Sequence, residues 1–340
     1  MPTASADLYE RLIRPLLFSL DPERAHHLVL GCLRGASTSA PLLGFLRRFQ
    51  PVAKPSSLFG LTFPNPIGLA AGFDKNGVAL PAWEALGFGF IELGTVTARA
   101  QPGNPTPRIF RFPEQEALIN RLGFNNDGAA AVAERLRRLR AQGRWPRIPV
   151  GINIGKSKLT EIEHAVEDYL HSFRVLHEFA DYLVLNVSSP NTPGLRALQS
   201  EGALSDLLRA VARANAQSSK PVLLKIAPDL SSGELEAILT VCEQNGIAGI
   251  VATNTTLDHS GISAAQDQAG GLSGRPVRKK STEIVRAIRE RSQLPIVGVG
   301  GIFDAASARE KLTAGAQLLQ VYTGFIYRGP GLLRQIVNDL

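Results

Sequence analysis

A (β/α)8 barrel carrying a small N-terminal helical extension is the fold class predicted by this 340-residue sequence. Three observations lead there. Short apolar runs recur eight times, at 67–70, 89–93, 149–154, 182–187, 222–226, 247–252, 296–299 and 317–322. Uninterrupted apolar runs of this length read as strands buried on both faces, as in a parallel sheet. Helical patterns lie between most of them, two opening on capping-box sequences, Thr160-x-x-Glu163 and Ser231-x-x-Glu234. Finally, eight strand–helix units with no G-x-G-x-x-G after the first run favour a closed barrel over a doubly wound sheet.

The first fifty residues stand outside this repeat. Leu8, Leu12 and Leu16, then Ala25, Leu28, Val29, Cys32 and Leu33, follow helical spacing. Asp21-Pro22 reads as an N-cap followed by a first-turn proline. The segment is expected to form two short amphipathic helices that either plug the bottom of the barrel or offer a surface to lipid or an apolar ligand. A Pro- and Ser-containing linker follows near 51–57, so the domains divide into 1–50, the extension, and 51–340, the barrel. Two connections, 94–149 and 254–295, exceed a single crossover helix and follow barrel strands, where the lids and walls of active sites belong.

Composition narrows the function. Hydrophobic residues make up 44% and charged residues 20% of the chain, which excludes a disordered or coiled-coil protein. Cys32 and Cys242 are far apart and neither belongs to a C-x-x-C pair, which argues against a cysteine-held metal or iron–sulfur site and for a reducing compartment. The start lacks the pattern of a signal peptide, and the longest uncharged run, 55–73, is broken by Pro64 and Pro66, so no segment is expected to cross a membrane. The net charge is +7, and six arginines fall between Arg135 and Arg147. Without interleaved aromatics these read as a solvated helix face and not as a nucleic-acid surface. A mild basic excess suits an anionic substrate or a phosphate-bearing cofactor.

Polar residues and glycines cluster where the strands end. Ala71-Gly72-Phe73-Asp74-Lys75, Gly94-Thr95, Asn153, Asn186-Val187-Ser188-Ser189, Lys225, Thr253-Asn254-Thr255, Gly300-Gly301 and Tyr322-Thr323-Gly324 all occupy such positions. Amides and ammoniums at the ends of apolar strands are costly unless they bond something. Glycines after the seventh and eighth strands match the place where barrels bind phosphate. Lys225 is compatible with a Schiff base, and so with an aldolase, or with fixing an anionic ring. No histidine falls in these segments, which argues against Ser-His-Asp hydrolysis and histidine-held metals. Ser189 is either a turn hydroxyl before Pro190 or a base whose proton leaves through water.

The segments AAGFDKNG, GTVT, NRLGFNN, NVSSPNTPG, LLKIAPDL, ATNTT, GGLSGRP, IVGVGGI and VYTGFIY, in that order, resemble the dihydroorotate dehydrogenases over essentially the whole chain. The resemblance implies oxidation of dihydroorotate to orotate in pyrimidine biosynthesis, with FMN on a (β/α)8 barrel. Serine at 189, where soluble class 1 members carry cysteine, and the N-terminal extension resemble the class 2, quinone-dependent branch. By this resemblance FMN would be held by Ala71, Gly72, Phe73, Asp74, Lys75, Thr95, Asn153, Asn186, Lys225, Thr253, Gly274, Gly301, Tyr322 and Thr323. Dihydroorotate would meet Lys75, Asn120, Arg121, Leu122, Gly123, Phe124, Asn186, Asn191, Asn254 and Thr255, with Ser189 as the base that takes the C5 proton. His26 and Arg111 match positions lining a quinone tunnel. Membrane quinone is the implied electron acceptor, and the protein would sit peripherally on a membrane, the cytoplasmic face of the inner membrane in a bacterium. No iron–sulfur subunit, metal or nucleic acid is implied.

Overall fold

The computed structural model describes residues 8–340, so residues 1–7 of the expected extension lie outside the described residues. Thirteen strands follow in chain order: β1 (Ser56–Leu58), β2 (Leu61–Phe63), β3 (Ile67–Leu69), β4 (Phe90–Val96), β5 (Ile109–Phe112), β6 (Ala117–Asn120), β7 (Val150–Ile154), β8 (Tyr182–Asn186), β9 (Val222–Ile226), β10 (Gly249–Ala252), β11 (Gly271–Gly274), β12 (Ile296–Val299) and β13 (Leu318–Val321). All eight apolar runs enter one closed barrel in the order β3-β4-β7-β8-β9-β10-β12-β13, with β13 closing on β3 in parallel register. Alternate residues face opposite ways, as the pleat requires. Tyr182 and Val184 of β8 point into the barrel with Phe90, Leu223, Val251 and Leu318, whereas Leu183 and Leu185 pack outward against the helices. Both faces are dry, which is why these strands carry no polar alternation.

The two long insertions build one wall. β5 and β6 form an antiparallel hairpin from the first, and β11 from the second pairs with β6, giving a three-stranded sheet beside the mouth. Of the two expected capping boxes, that of Ser231 forms: its Oγ accepts from the Glu234 N–H, and the Glu234 carboxylate accepts from the Ser231 N–H at 2.8 Å. The Thr160 box does not. Ile162–His164 makes a 3-10 turn before the helix Ala165–Leu176, and the Thr160 hydroxyl donates to Asp168 Oδ1 at 2.9 Å instead. The arginine run is a partnered helix face: Arg135 pairs with Asp127 at 2.6 Å, Arg138 with Glu134 at 2.8 Å, and Arg140 stacks over Trp145 at 4.3 Å.

The extension comprises a π-helical turn, Tyr9–Ile13, and the helices Arg14–Ser19, Pro22–Ala36 and Ala40–Leu46. Asp21 Oδ1 caps the second helix by accepting from the Glu23 and Arg24 N–H groups, both at 3.0 Å. Among the described residues no single helix is long and apolar enough to cross a membrane; the pair Pro22–Ala36 and Ala40–Phe49 is bent by 118°. The helices do not plug the barrel. They dock at the side of the mouth, where the Tyr9 hydroxyl donates to the Ile326 carbonyl at 2.7 Å and Glu10 pairs with Arg328 at 2.9 Å. Glu23 meets Arg108, at the start of the insertion wall, at 2.6 Å. The plug comes from the hairpin β1–β2, partly within the expected linker: Phe63 is fully buried among the inward residues and meets the Phe90 ring edge-on at 5.4 Å.

Because that plug fills the bottom of the barrel, Phe63→Ala should cost about 3–5 kcal/mol in chemical denaturation, the range for a large buried aromatic. Leu16→Ala, at an outward position 71% exposed, should stay within about 0.5 kcal/mol. A Phe63 cost below that of Leu16 would place the plug elsewhere.

Candidate active site

The strand ends converge on one polar cavity at the mouth of the barrel. Ala71, Gly72, Lys75, Thr95, Asn186, Lys225, Thr253, Gly274, Gly301, Tyr322 and Thr323 line it, as do Asn120, Leu122, Gly123, Phe124, Ser189, Asn191, Asn254 and Thr255. Four of the expected residues do not. Asp74 is fully buried and turned away: its carboxylate accepts from the Val78 and Ala79 N–H groups at 2.9 Å and from Trp83 Nε1 at 3.1 Å, tying down the turn that leads into the helix Leu80–Ala85. Phe73 faces the extension, 5.1 Å from the Trp83 ring. Arg121 spreads its guanidinium over Phe110 at 4.7 Å and donates to the Pro107 carbonyl at 2.9 Å, bracing the insertion wall. Asn153 lies one step behind the lining, its Oδ1 accepting from the Thr95 hydroxyl at 2.6 Å.

Two chemistries occupy the two ends. At one end the backbone folds tightly around Gly274 (φ +97°), Gly300 (φ +113°) and Gly301 (φ +68°). A Cβ on Gly274 would lie 2.2 Å from the Glu116 carbonyl oxygen, and one on Gly324 1.9 Å from that of Ile302. Only glycine fits, and it leaves backbone at the cavity surface. The Ser273 and Thr323 hydroxyls, 2.9 Å apart, complete this end. At the other end stand amides and one ammonium. Asn191 Nδ2 donates to the Asn120 carbonyl at 3.0 Å, joining the loop after β8 to the insertion wall. Ser189 is buried, and its Oγ accepts from the Asn191 N–H at 3.3 Å, which leaves its own proton free to point elsewhere. Lys75 is buried, and desolvation, with Arg108 nearby, pulls its amine down to about 8.

Sequence reasoning missed Ser273 and Gln320 of the lining, and the fully buried Glu92, while the Gly300 and Gly324 it read as a phosphate site do line the cavity. Glu92 and Gln320 carried a signal: each is a polar residue inside an otherwise apolar strand, Phe90–Val96 and Leu318–Val321. Glu92 is fully buried inside the barrel and pairs with Lys225 at 3.3 Å.

A second cavity, of about 270 Å3, lies between the extension and the barrel. Its walls are apolar, from Ile13, Leu17, Ala25, Val29, Leu33 and Phe325 among others. His26 and Arg111 both line it. Arg111 stacks over Phe18 at 4.5 Å and donates to the Leu17 and Leu20 carbonyls, which closes the end of the helix Arg14–Ser19. Burial holds His26 down to about 3, with Lys75 and His27 adding to the effect, so it is a neutral ring at physiological pH. Of the two apolar stripes in the extension, that of Ala25, Val29 and Leu33 lines this cavity, whereas Leu12 and Leu16 face outward. The side chain of Tyr322 belongs to both cavities: its ring lies 5.3 Å from Phe73, which in turn lies 5.2 Å from His26.

The dihydroorotate dehydrogenase family model matches residues 55–340. Dihydroorotate dehydrogenase (quinone) of Gloeobacter violaceus is 54% identical over 98% of this chain and 94% of its own, and that of Chloroflexus aurantiacus 50% identical over 99% and 97%. Among solved structures, the Eimeria tenella enzyme in complex with ferulenol superposes with a TM-score of 0.85 at 37% identity, covering 94% of this chain and 90% of that one. With the barrel, the polar mouth and these matches together, the chain belongs to the dihydroorotate dehydrogenase family.

Proposed function

We infer that this protein oxidises dihydroorotate to orotate and delivers the two electrons to a quinone. The observation that carries the reading is the pair of cavities sharing Tyr322, one polar and one apolar. A carboxylate-bearing imide ring and a lipid-soluble acceptor need opposite surroundings, and the two cavities supply them.

The residues of the polar cavity fit FMN. The glycine cradle at Gly274, Gly300, Gly301 and Gly324, with the Ser273 and Thr323 hydroxyls, suits a phosphate, because close backbone approach and N–H donors are what a phosphate uses. Lys225, Thr95, Asn186 and Thr253 would hold the ring, with Ala71, Gly72 and Tyr322 around it. When bound, FMN supplies the two-electron acceptor that no side chain offers. The protein does the rest. The Lys75 ammonium takes the substrate carboxylate, and the amides of Asn120, Asn191 and Asn254 match the alternating N–H and C=O groups of the imide edge. Ser189 removes the C5 proton; no histidine lines the cavity to do so in its place. Phe73 and Tyr322 keep water from crossing between the cavities. In the apolar cavity, neutral His26 and pinned Arg111 offer polar contacts to a quinone ring without adding a mobile charge.

The extension is read as the part that meets a membrane. All but two of the exposed large apolar side chains among the described residues fall between 8 and 52, Leu12, Leu16, Leu28, Leu42 and Phe45 among them. Such a concentration, rimmed by arginines, suits a helix pair lying in a lipid interface.

Three outcomes test this reading. Ser189→Ala should keep its flavin yet slow anaerobic flavin reduction by dihydroorotate about 10²-fold, the scale of a lost general base; reduction at the wild-type rate removes Ser189 from that role. Orotate affinity, measured by equilibrium titration, should be flat below pH 8 and weaken above it as the Lys75 ammonium, held at about 8, loses its proton. A break deferred to the ordinary lysine range would mean that Lys75 does not bind the carboxylate. Ala25→Phe, which fills the apolar cavity from a buried wall position, should slow reoxidation by a long-chain quinone at least tenfold while flavin reduction stays unchanged. Unaltered reoxidation would mean that quinone enters by another route.

A further inference from the structure

We propose that Lys311 selects the phosphorylated flavin: its buried ammonium is the fixed counter-charge behind the phosphate end of the polar cavity, and Ser281 links it to the Gly300–Gly301 turn. The proposal rests on reading the glycine cradle as the place of the FMN phosphate. Lys311 itself lines neither cavity.

Lys311 belongs to the helix Ala305–Thr313 and is 0% exposed. Its stem runs past β12, where a Cβ on Gly298 would lie 3.3 Å from its Cδ. Its Nζ donates to Ser281 Oγ at 2.5 Å and to Thr282 Oγ1 at 3.0 Å, both in the helix Arg278–Arg291. The Thr282 hydroxyl spends its own proton on the Arg278 carbonyl at 2.8 Å. That of Ser281 faces two carbonyls, Arg278 at 3.1 Å and Gly300 at 3.2 Å. Neither hydroxyl has a proton left to give back, so Nζ meets acceptors alone, the surroundings of an ammonium and not of a free amine. The turn sits directly on this group: a Cβ on Gly300 would lie 2.9 Å from Ser281 Oγ. A trans peptide points its C=O and N–H in opposite directions. With the Gly300 carbonyl turned back to Ser281, the Gly301 N–H points the other way; Gly301 lines the cavity, and no acceptor meets that N–H among the described residues.

The arginines around this end have carboxylates of their own. Arg275 pairs with Glu116, Arg328 with Glu116 at 3.0 Å, and Arg278 with Glu310 at 2.5 Å. Lys311 has no ion pair among the described residues, although Glu310 precedes it in the chain. A buried charge is costly unless a counter-charge offsets it, and a phosphate on the cavity side of the turn is that counter-charge. Burial pulls the amine down to about 7, with Glu310 opposing and Arg278 adding to the effect, so a bound phosphate would draw it fully to the ammonium. A backbone N–H donates to a phosphate oxygen and to a hydroxyl oxygen alike. A fixed charge does not treat them alike, and buried charges are little screened by salt. Lys311 therefore supplies what the glycine cradle lacks, a preference for the dianion over a neutral group of similar reach.

FMN and riboflavin share one ring system and differ in a phosphate for a hydroxyl, so their competition isolates this end. The flavin-loaded full-length protein is equilibrated with an excess of both flavins in known ratio, and the bound flavins are separated and quantified. Wild type should prefer FMN by about 100-fold or more, the scale of charge-assisted bonds to a phosphate. Lys311→Met, which keeps the length without the charge, should lose about tenfold or more of that preference. Lys311→Gln, whose amide still offers a donor to the hydroxyls, should lose it as well. If Lys311 merely stapled two helices together, both flavins would weaken in step and the ratio would stand. An unchanged ratio in either variant overturns the proposal. Should neither variant yield flavin-loaded protein, phosphorus NMR of the wild-type holoprotein decides: the bound phosphate should stay dianionic down to about pH 5, below the range near 6 where a free phosphate monoester takes up its proton. A bound signal that titrates as free FMN does overturns the proposal. A wild type that holds riboflavin as tightly as FMN would instead overturn the reading of the glycine cradle itself.

Discussion

Tyr322 standing against Phe73 is the contact on which the arrangement depends. The two rings, 5.3 Å apart, form the partition between a cavity of amides and ammoniums and one of aliphatic side chains. They are held from behind by Trp83 and Phe325, whose rings lie 5.1 and 6.0 Å from Phe73, each roughly edge-on. Edge-on packing of this kind adds about 0.5–1.5 kcal/mol per pair beyond burial, so the partition is stiff. Burial pushes the Tyr322 hydroxyl well above its ordinary range, so it stays a neutral phenol. Under the proposed function, such a partition would let electrons pass while keeping protons and water on their own sides.

The polar cavity carries its charges at a cost. Lys75 and Lys225 are both buried, and a buried ammonium is tolerated only when paired or poised for an anion. Lys225 has its partner in Glu92. Lys75 has no ion pair among the described residues, and burial, with Arg108 nearby, pulls its amine down to about 8. Glu23 of the extension and its partner Arg108 both act on the Lys75 charge, in opposite directions, so docking of the extension reaches the electrostatics of the substrate end as well as building the apolar cavity.

The barrel was legible because closure buries both faces of every strand, which leaves uninterrupted apolar runs that nothing else in the chain imitates. The mouth was legible for the complementary reason that amides and lysines ending such runs have to be used. Side-chain direction within a loop was not legible. Asp74 and Lys75 are adjacent in AAGFDKNG, yet one turns inward to accept from Val78, Ala79 and Trp83 and the other opens on the cavity. Nor does helical spacing alone say which stripe faces the barrel: Leu12 and Leu16 repeat as regularly as Ala25, Val29 and Leu33, but only the latter three face inward. The plug was hidden because β1 and β2 are three residues each, too short for alternation to register. Glu92 was readable only once its strand was known to close a barrel, since alternation then sends it to the interior.

Central to this account is that two ligands use two cavities with a wall between them. Pre-reduced protein mixed anaerobically with a long-chain quinone, with and without saturating orotate, tests it most directly. Separate cavities predict that the rate of flavin reoxidation changes by less than about twofold when orotate is bound. Reoxidation that falls in proportion to orotate occupancy would mean that both ligands compete for one space, and the partition at Tyr322 and Phe73 would have no function.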